Sequence, residues 1–441
     1  MLMLISHSGM HRIATLAIAA WLTACGGRQQ PEGASEEAAF ATIGGGHTCA
    51  VMTNGTMRCW GRGEFGQLGY GDRLSLGDDE LAGAGGLVSV PGKVVSADAG
   101  EDHTCAVSDR GQVRCWGRNL RGQLGRGGRD NMGDDETVSE MSSVSLGERA
   151  IAVSAGFAHS CAVTERGNLF CWGANEAGQL GYGETTDYGL LPGERPDDRG
   201  PVPLGAKAIG VAAGAKHTCA LLEGGDVLCW GRGESGQTGR GDGLSWGDTP
   251  QRLPAAGQRV SLGGPAVAVT AGDLHTCALM ADGSARCWGY GWDGRLGTGS
   301  THNVGDDETV SSVQPIRFAT AITSISAGSQ HTCLTTAAGE VSCFGRGNVG
   351  QLGRGDAEDA GAEFAPDAMP TINLGTKLPA SSVAAGPRWS CAVFGTSLRC
   401  WGENGLANQL GTQKVGMENW GDDPGELPAA VEFSAPTDKA R

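Results

Sequence analysis

Cysteine and histidine, the residues best suited to bind zinc or form redox centres, recur at fixed spacing along this chain of 441 residues. Fourteen of the 15 cysteines form pairs with nine residues between the partners, or eight in the last pair, and the first cysteines of the pairs recur every 56 or 58 residues. A histidine lies two residues before the first cysteine in six of seven repeats. His-x-Cys allows a zinc site, whereas an even count allows disulfides. The pairs are Cys49 with Cys59, Cys105 with Cys115, Cys161 with Cys171, Cys219 with Cys229, Cys277 with Cys287, Cys333 with Cys343 and Cys391 with Cys400.

The N-terminal segment favours disulfides over zinc, because it resembles an export signal. Residues 1–24 read as a signal peptide whose apolar run, Ile13–Leu22, is too short to span a bilayer. The run leads into Leu22-Thr23-Ala24-Cys25, which is similar to a bacterial lipobox, so we expect cleavage before Cys25, lipidation of that residue and a tether over 25–39. An ordinary secretory signal with an unrelated cysteine is the alternative. Both place the mature protein outside the cytosol, where disulfides persist; we expect a lipoprotein of the cell envelope, at the outer membrane or the cell surface.

Repeat three shows which element would position a cysteine pair. Short runs rich in valine, leucine, cysteine and aromatic residues flank Thr164–Asn168, the pattern of a β-hairpin. If Cys161 lies opposite Cys171, Gly167 takes the last position of a three-residue loop, which needs left-handed backbone. The cysteines then form a non-hydrogen-bonded pair with Cα atoms about 4.5 Å apart, close enough for a disulfide. We predict seven disulfides that stabilise hairpins and carry out no redox chemistry. The equivalent glycines are Gly55, Gly111, Gly225, Gly283 and Gly339, with a two-residue turn at Gly395-Thr396.

The repeat as a whole predicts the fold. Each hairpin is followed by a Gly-Gln-Leu-Gly connector or a variant, a longer loop and two weaker strand patterns such as Pro201–Leu204 and Ala208–Ala212. Small sheets that cannot bury their own faces pack radially around an axis. We therefore predict an all-β fold, a seven-bladed β-propeller of four-stranded antiparallel blades, over residues 40–441. Strand patterns at Phe40–Ile43 and Leu427–Phe433 predict that the two ends meet, and leave open which blade they complete.

The repeated histidines and aromatic residues are predicted to be structural. A catalytic group is normally unique, whereas histidine occupies one position in six repeats and Trp389 stands there in the seventh. We expect these histidines to form hydrogen bonds between strands or blades, and the aromatic residue after each second cysteine to pack between blades. The histidines are His47, His103, His159, His217, His275 and His331. The aromatic residues are Trp60, Trp116, Trp172, Trp230, Trp288, Phe344 and Trp401.

Acidic loops after the connectors are the strongest candidate binding residues. Gly-Asp-Asp recurs at the same phase of four repeats, followed by glutamate in three of them. These loops are predicted to fall on one face or rim of the propeller. One interpretation is turn formation, for which aspartate beside glycine is well suited; the other is an anionic rim that binds a basic partner or divalent cations. The aspartates are Asp78, Asp79, Asp134, Asp135, Asp306, Asp307, Asp422 and Asp423.

The repeat resembles that of a known family. Its order is Ala-Gly-x-x-His-Thr-Cys-Ala, then Val-x-Cys-Trp-Gly, then Gly-Gln-Leu-Gly, and it resembles the repeat of the regulator of chromosome condensation family over residues 40–411. The resemblance implies a seven-bladed propeller. The prototype is a nuclear exchange factor for a small GTPase and binds chromatin, and an exported lipoprotein would not meet such partners. The export signal, the cysteine pairs and the long acidic loops depart from the prototype, so the resemblance predicts the fold and not the activity.

These observations predict a binding protein. We expect a membrane-anchored scaffold, monomeric and without cofactor or metal site, that binds a protein, peptide or envelope polymer through propeller loops. The formal net charge of −16 argues against nucleic acid as the partner. The alternative is an enzyme with an active site among the loops of one face, and guanine nucleotide exchange is a more remote one. No nucleophile motif or phosphate-binding loop stands out in the sequence.

Overall fold

The fold consists of seven similar antiparallel sheets around a central channel, which confirms the predicted all-β propeller. The computed structural model describes residues 37–77, 80–363, 371–405, 408–412, 419–426 and 430–433. The predicted signal segment 1–24 and Cys25 therefore lie outside the described residues. Within the described ranges no helix is both long enough and apolar enough to cross a membrane.

Each sheet is one blade made of an inner, a middle and a third strand in chain order. The inner strands are β1 Ala38–Ile43, β4 Val94–Ala99, β7 Ala150–Ala155, β10 Ala208–Ala213, β13 Ala266–Ala271, β16 Ile322–Ala327 and β19 Ala380–Ala385. The middle strands are β2 His47–Met52, β5 His103–Ser108, β8 His159–Thr164, β11 His217–Leu222, β14 His275–Met280, β17 His331–Thr336 and β20 Trp389–Phe394. The third strands are β3 Met57–Gly61, β6 Val113–Gly117, β9 Leu169–Gly173, β12 Val227–Gly231, β15 Ala285–Gly289, β18 Val341–Gly345 and β21 Ser397–Gly402. The described helices are α1 Pro196–Arg199 and single 3₁₀ turns at Pro250–Arg252, Pro254–Ala256, Trp292–Gly294 and Val310–Ser312.

The hairpin between the middle and third strands has the predicted register in every blade. In blade three Cys161 lies opposite Cys171, and their Cα atoms are 4.1 Å apart. Gly167 has φ 82° and its N–H donates to Thr164, as the three-residue loop requires. In blade seven the loop shortens to two residues with Gly395 at φ 58°.

All seven predicted disulfides are present in the structure, and each joins the middle strand of a blade to the third strand of the same blade. Their Cα–Cα distances lie between 4.0 and 4.1 Å, so the seven hairpins are bridged in the same way. The predicted pairing of all fourteen cysteines within their own repeats is therefore confirmed. The bridges join Cys49 to Cys59, Cys105 to Cys115, Cys161 to Cys171, Cys219 to Cys229, Cys277 to Cys287, Cys333 to Cys343 and Cys391 to Cys400.

Within the described residues the fourth strand of a blade is reduced to one hydrogen bond with the third strand, or two in blade five, so the prediction of four full strands needs correction. In blade three the N–H of Val202 donates to Leu169 on the third strand at 2.7 Å. The neighbours of Val202 include Pro201 and Pro203, which have no N–H to continue a ladder. The equivalent donors in the other blades are Val88, Val144, Val260, Ile316, Ile372 and Val431. The outer edge of each blade is therefore held mainly by packing of these buried or half-buried apolar side chains.

Small residues of the inner strands line the central channel. Around one level of the channel lie Thr42, Asp98, Ser154, Ala212, Thr270, Ser326 and Ala384. Thr42 and Ser154 donate their hydroxyl groups to the Asp98 carboxylate at 2.8 and 2.9 Å, and the backbone N–H groups of Ala99 and Ala155 donate to it as well. Burial raises the pKa of Asp98, and these four hydrogen bonds oppose the rise. The carboxylate therefore ties the inner strands of the first three blades together.

Within the described residues, blades one and seven close the ring without exchange of a strand. Phe40–Ile43 pair within blade one, whereas Val431 pairs with blade seven, so each end completes its own blade. The two ends meet as predicted. The Phe433 ring packs edge-on against Trp60 with 5.9 Å between ring centroids, and the N–H of Ala38 donates to Thr396.

Candidate functional site

The repeated histidines form a belt of hydrogen bonds between neighbouring blades, as predicted. In blade two, His103 Nε2 lies 2.9 Å from Ser160 Oγ in blade three. That hydroxyl donates its one proton to the backbone oxygen of Gln123, so the imidazole must be the donor to it. The other pairs are His47 with Thr104, His159 with Thr218, His217 with Thr276, His275 with Thr332 and His331 with Ser390.

Blade seven supports this assignment of the proton. Trp389 takes the place of histidine, and its indole Nε1, which can only donate, lies 3.0 Å from Thr48 Oγ1 in blade one. The donor at this position is therefore an N–H in all seven blades. Complete burial lowers the pKa of His47, His103, His159 and His331 to about 3 and that of His217 to about 4. The belt is neutral and buried, so it cannot be a solvent-accessible metal or catalytic site.

The tryptophans that follow the second cysteines join the same network. Trp116 donates its Nε1–H to the backbone oxygen of Gln67 at 3.0 Å, and Thr104 donates its hydroxyl to the same oxygen. Trp60, Trp172, Trp230, Trp288 and Trp401 make the equivalent bond to the preceding connector. All six are fully buried, as is Phe344, which packs in that position without a donor. These residues hold blades together, as the sequence predicted.

The described acidic loops lie at equivalent junctions between blades. Gly133 packs against Gly66 of the preceding connector so closely that a Cβ on Gly66 would lie 2.4 Å from the Gly133 carbonyl carbon. The same contact recurs where Gly236 meets Gly305 and where Gly350 meets Gly421. The acidic loops are thus distributed around the propeller and do not converge. Asp78 and Asp79 fall outside the described residues.

Within these loops the glutamate carboxylate accepts a hydrogen bond from the backbone of the loop glycine, and the second aspartate is exposed. The N–H of Gly305 donates to Glu308 at 3.0 Å, and equivalent bonds join Gly77 to Glu80 and Gly421 to Glu426. The first aspartates have polar partners: Arg73 for Asp134, Asn303 for Asp306 and Asn419 for Asp422. The second aspartates, Asp135, Asp307 and Asp423, are exposed. Burial, followed by the adjacent Asp135, raises the pKa of Glu136. The turn interpretation accounts for the glutamates and the first aspartates, and binding by the exposed aspartates stays a prediction.

A cleft on one face of the propeller brings together residues that the sequence did not single out. We call this face the loop face: it consists of the loops between inner and middle strands, such as 100–102, and the residues directly after the third strands, such as 118–121. The cleft has a volume of about 630 Å³ and opens beside the mouth of the central channel. Its lining includes Glu101, Arg118, Phe157, Lys216, Asp273 and Arg295. We refer to it below as the loop-face cleft.

Charges in the loop-face cleft are mostly paired. Asp102 forms ion pairs with both Arg62 and Arg118, the second at 3.0 Å. Glu176 is paired with Arg121 at 2.8 Å and with Lys216. By contrast, Phe157 and Leu120 leave about half of their apolar surface exposed, at 51% and 48%. Exposed apolar surface beside a concave polar cleft is typical of a binding site.

Blade five departs from the repeat beside this cleft. In five blades a connector glutamine accepts a hydrogen bond from the N–H two residues earlier, as Gln123 does from Arg121. Arg295 has no acceptor to replace it; its guanidinium donates instead to the oxygens of Trp292, Ser329 and Asp293. Asp293 adopts φ 62°, which is unusual for a residue with a Cβ. Trp292 is left 60% exposed at the edge of an adjoining pocket of about 430 Å³.

These residues differ from their equivalents in the other repeats, and this difference is visible in the sequence. Glu101, Phe157 and Asp273 occupy the first variable position of Ala-Gly-x-x-His, where the other repeats have Gly45, Ala215, Ser329 and Pro387. A position whose residue type differs between otherwise similar repeats is not constrained by the contacts that all the blades have in common. Comparing the variable positions, rather than the repeated ones, would have pointed to this face.

Comparisons with known proteins agree with the fold and the repeat. Residues 25–321 match the RCC1-like domain family, and residues 322–351 match the regulator of chromosome condensation (RCC1) repeat. The chain is 34% identical over 322 residues to the ultraviolet-B receptor UVR8 of Arabidopsis thaliana, covering 72% of this chain and 67% of the receptor. It is 31% identical over 378 residues to the human regulator of chromosome condensation, covering 80% of each.

A solved structure shows the same architecture. The fold resembles that of Prp20p from Saccharomyces cerevisiae with a TM-score of 0.60 and 22% identity, covering 80% of this chain and 81% of Prp20p. The structure of Prp20p was determined together with its binding properties to Gsp1p and histones. At this level of identity the likeness concerns the fold alone. With seven repeats, seven blades and these matches, the chain belongs to the RCC1-like propeller family.

Proposed function

We propose that this protein is an exported, lipid-anchored propeller that binds a partner protein through its loop face and carries out no chemistry of its own. The observation that carries the proposal is the loop-face cleft, where the repeats differ from one another and where large apolar side chains are exposed. The buried histidine belt supports a role in binding over one in catalysis, because the repeated titratable groups are committed to hydrogen bonds between blades. Binding of proteins by Prp20p offers a precedent on the same fold.

The anchor is the second part of the proposal. Cys25 follows a lipobox-like sequence, and a tether over 25–39 would separate the propeller from the membrane surface. Several acyl chains anchor a protein far more firmly than one. Replacing Cys25→Ser is expected to abolish acyl labelling and to release the protein from the membrane fraction. Unchanged membrane association of the serine variant would contradict the lipoprotein assignment.

The loop face can be tested with a matched pair of triple variants. The test variant replaces three exposed apolar residues of the loop face, Leu120→Ala, Phe157→Ala and Trp292→Ala. The control variant makes the same kind of change at Ile151, Val267 and Leu378, which are 40%, 49% and 54% exposed near the opposite ends of the inner strands.

Both variants and the native chain would be used to capture partners from an envelope extract, with bound proteins and polymers quantified. We expect a protein retained by the native chain and the control variant to be lost by the test variant. Equal retention by the test variant would contradict a loop-face site, and retention of a polysaccharide alone would contradict a protein partner.

A further inference from the structure

Two carboxylates line the mouth of the central channel and form no ion pair with the described residues. Glu101 in blade two and Asp273 in blade five both line the loop-face cleft and the channel mouth. Among the described residues, no lysine or arginine forms an ion pair with either carboxylate, whereas the neighbouring Asp102 pairs with two arginines. The Ser329 hydroxyl hydrogen-bonds to Asp273. The cations of the cleft act on these carboxylates without an ion pair: Arg62 and Arg118 lower the pKa of Glu101, and Arg295 lowers that of Asp273, in both cases against the larger effect of burial.

The fold makes room for the Glu101 carboxylate at the channel mouth, where the charge of Asp273 acts on its pKa. A Cβ on Gly45 would lie 2.4 Å from the Glu101 carboxyl carbon, so the absence of a side chain at Gly45 makes room for the carboxylate. Burial raises the pKa of Glu101 to about 6, and the negative charges of Asp102 and Asp273 add to the rise. Burial also raises the pKa of Asp273. A ligand cation between the two groups would relieve both desolvation and repulsion.

The residues between the two carboxylates suit an organic cation on an aliphatic stem. In ring order the mouth positions run Glu101, Phe157, Ala215 and Asp273. The Glu101 carboxyl lies beside Gly45 and Asp273 bonds to Ser329, so the two acids flank the mouth and the exposed Phe157 ring lies at its rim. The ring face of phenylalanine attracts a cation, and its surface packs against methylene groups. The volume of about 630 Å³ is within the range of pockets that enclose small ligands and anchor side chains.

We propose that the loop-face cleft receives a lysine or arginine side chain of the partner protein, held between the carboxylates of Glu101 and Asp273 and packed against Phe157. This inference rests on the proposed function and specifies the chemistry of its partner. The exposed aspartates of the acidic loops would add long-range attraction for the same basic partner, since the formal charge of the chain is −16.

The test starts from a random library of 12-residue peptides selected for binding to the full chain. Selected peptides would be resynthesised with each lysine changed to norleucine and each arginine to citrulline, which removes the charge and keeps the length. The test variant carries Glu101→Gln and Asp273→Asn. The control carries Glu165→Gln and Asp282→Asn, which remove the same charge from exposed hairpin loops far from the cleft.

We expect one basic residue of the peptide to matter most, with at least a tenfold loss of affinity when it is neutralised. The same loss is expected for the native peptide on the test variant, and neutralising both sides should cost little more than either change alone. The control variant should bind as the native chain does. Thermal unfolding of both variants verifies folding, and we expect no loss in the test variant because repulsion between carboxylates is relieved.

Several outcomes would overturn the inference. Peptides without a basic residue, basic peptides that bind the test variant equally well, or no selected peptide at all would each refute it. Binding of calcium alone to the native chain, lost in the test variant without any effect on peptides, would assign the carboxylates to a metal instead. Peptide binding could survive Glu101→Gln and Asp273→Asn but be lost in the variant with Leu120→Ala, Phe157→Ala and Trp292→Ala. That result would support binding at the loop face and would refute recognition of a basic side chain by the two carboxylates.

Discussion

The histidine belt predicts that the folded propeller loses stability steeply in mild acid. Burial lowers the pKa of all six histidines in the folded state, to about 3 for four of them, whereas a histidine in the unfolded chain titrates near 6.5. The stabilising contribution is therefore fully present above about pH 6.5 and is lost as the pH falls towards the folded values. Each imidazole donates through Nε2, and within the described residues Nδ1 has no polar partner. Protonation at Nδ1 would thus place an uncompensated charge in the core.

The size of the effect follows from proton counting. One histidine that binds a proton only in the unfolded state changes the free energy of unfolding by about 1.4 kcal/mol per pH unit. Glu101, whose pKa burial raises to about 6, binds a proton in the folded state over part of this range and opposes the loss. We expect a net uptake on unfolding of about three protons near pH 6.5 and about five near pH 5, or roughly 4–7 kcal/mol per pH unit.

The assay is urea unfolding of the disulfide-bonded chain between pH 7.5 and 5, followed by circular dichroism. His159→Gln keeps an N–H that can donate to Thr218 but removes one titrating group, so the pH dependence should fall by about one proton. His302→Gln is the matched control, because His302 is exposed and lies outside the belt. A free energy of unfolding that stays constant from pH 7.5 to 5, or an unchanged pH dependence in His159→Gln, would refute this reasoning.

Three further predictions concern the blades and their loops. Trp116→Phe removes the donor to the Gln67 oxygen and should cost about 1 kcal/mol by urea unfolding without loss of the fold, since Phe344 occupies the equivalent position naturally; an unchanged midpoint would contradict the bond's role. Replacing Cys161 and Cys171 by alanine should cost about 3 kcal/mol, and peptide mapping of the native chain should find every bridge within one repeat. Changing the acidic-loop aspartates to asparagine should leave thermal stability nearly unchanged and slow association with a basic partner; association that stays equally salt-sensitive would reduce these loops to turn formation. The aspartates to be changed are Asp78, Asp79, Asp134, Asp135, Asp306 and Asp307.

Local rules were sufficient to predict the repeated parts of this molecule. The position of Gly167 determines the hairpin register, and the register alone brings Cys161 opposite Cys171. The structural role of the histidines followed from their repetition, because a residue present in six blades is expected to make a contact that all of those blades need. The weak fourth strand was overestimated, since prolines beside Val202 leave it one hydrogen bond where the apolar pattern suggested a ladder.

The candidate site was not predicted because it depends on which non-repeated residues meet across the channel. Glu101 and Asp273 are 172 residues apart and come together only when the ring closes. Arg295 stands at the connector position that glutamine occupies in the other six repeats. In the other blades the connector glutamine accepts a backbone hydrogen bond, and arginine cannot accept it. The resulting change at Asp293 and Trp292 can be recognised only by comparing the hydrogen bonds of blade five with those of the other blades.

Because the ring closes without strand exchange, each blade is a complete unit that meets its neighbours through the same kinds of contact. At the junction of blades seven and one, Trp389 donates to Thr48 and Trp60 donates to Gln409, the same kinds of bond that join blades linked by a peptide chain. The contacts across a junction therefore do not depend on covalent continuity. Such a ring can arise by duplication of one repeat. We expect it to tolerate a change in the order of its repeats, as long as each repeat keeps the donors and the acceptors of these junction bonds.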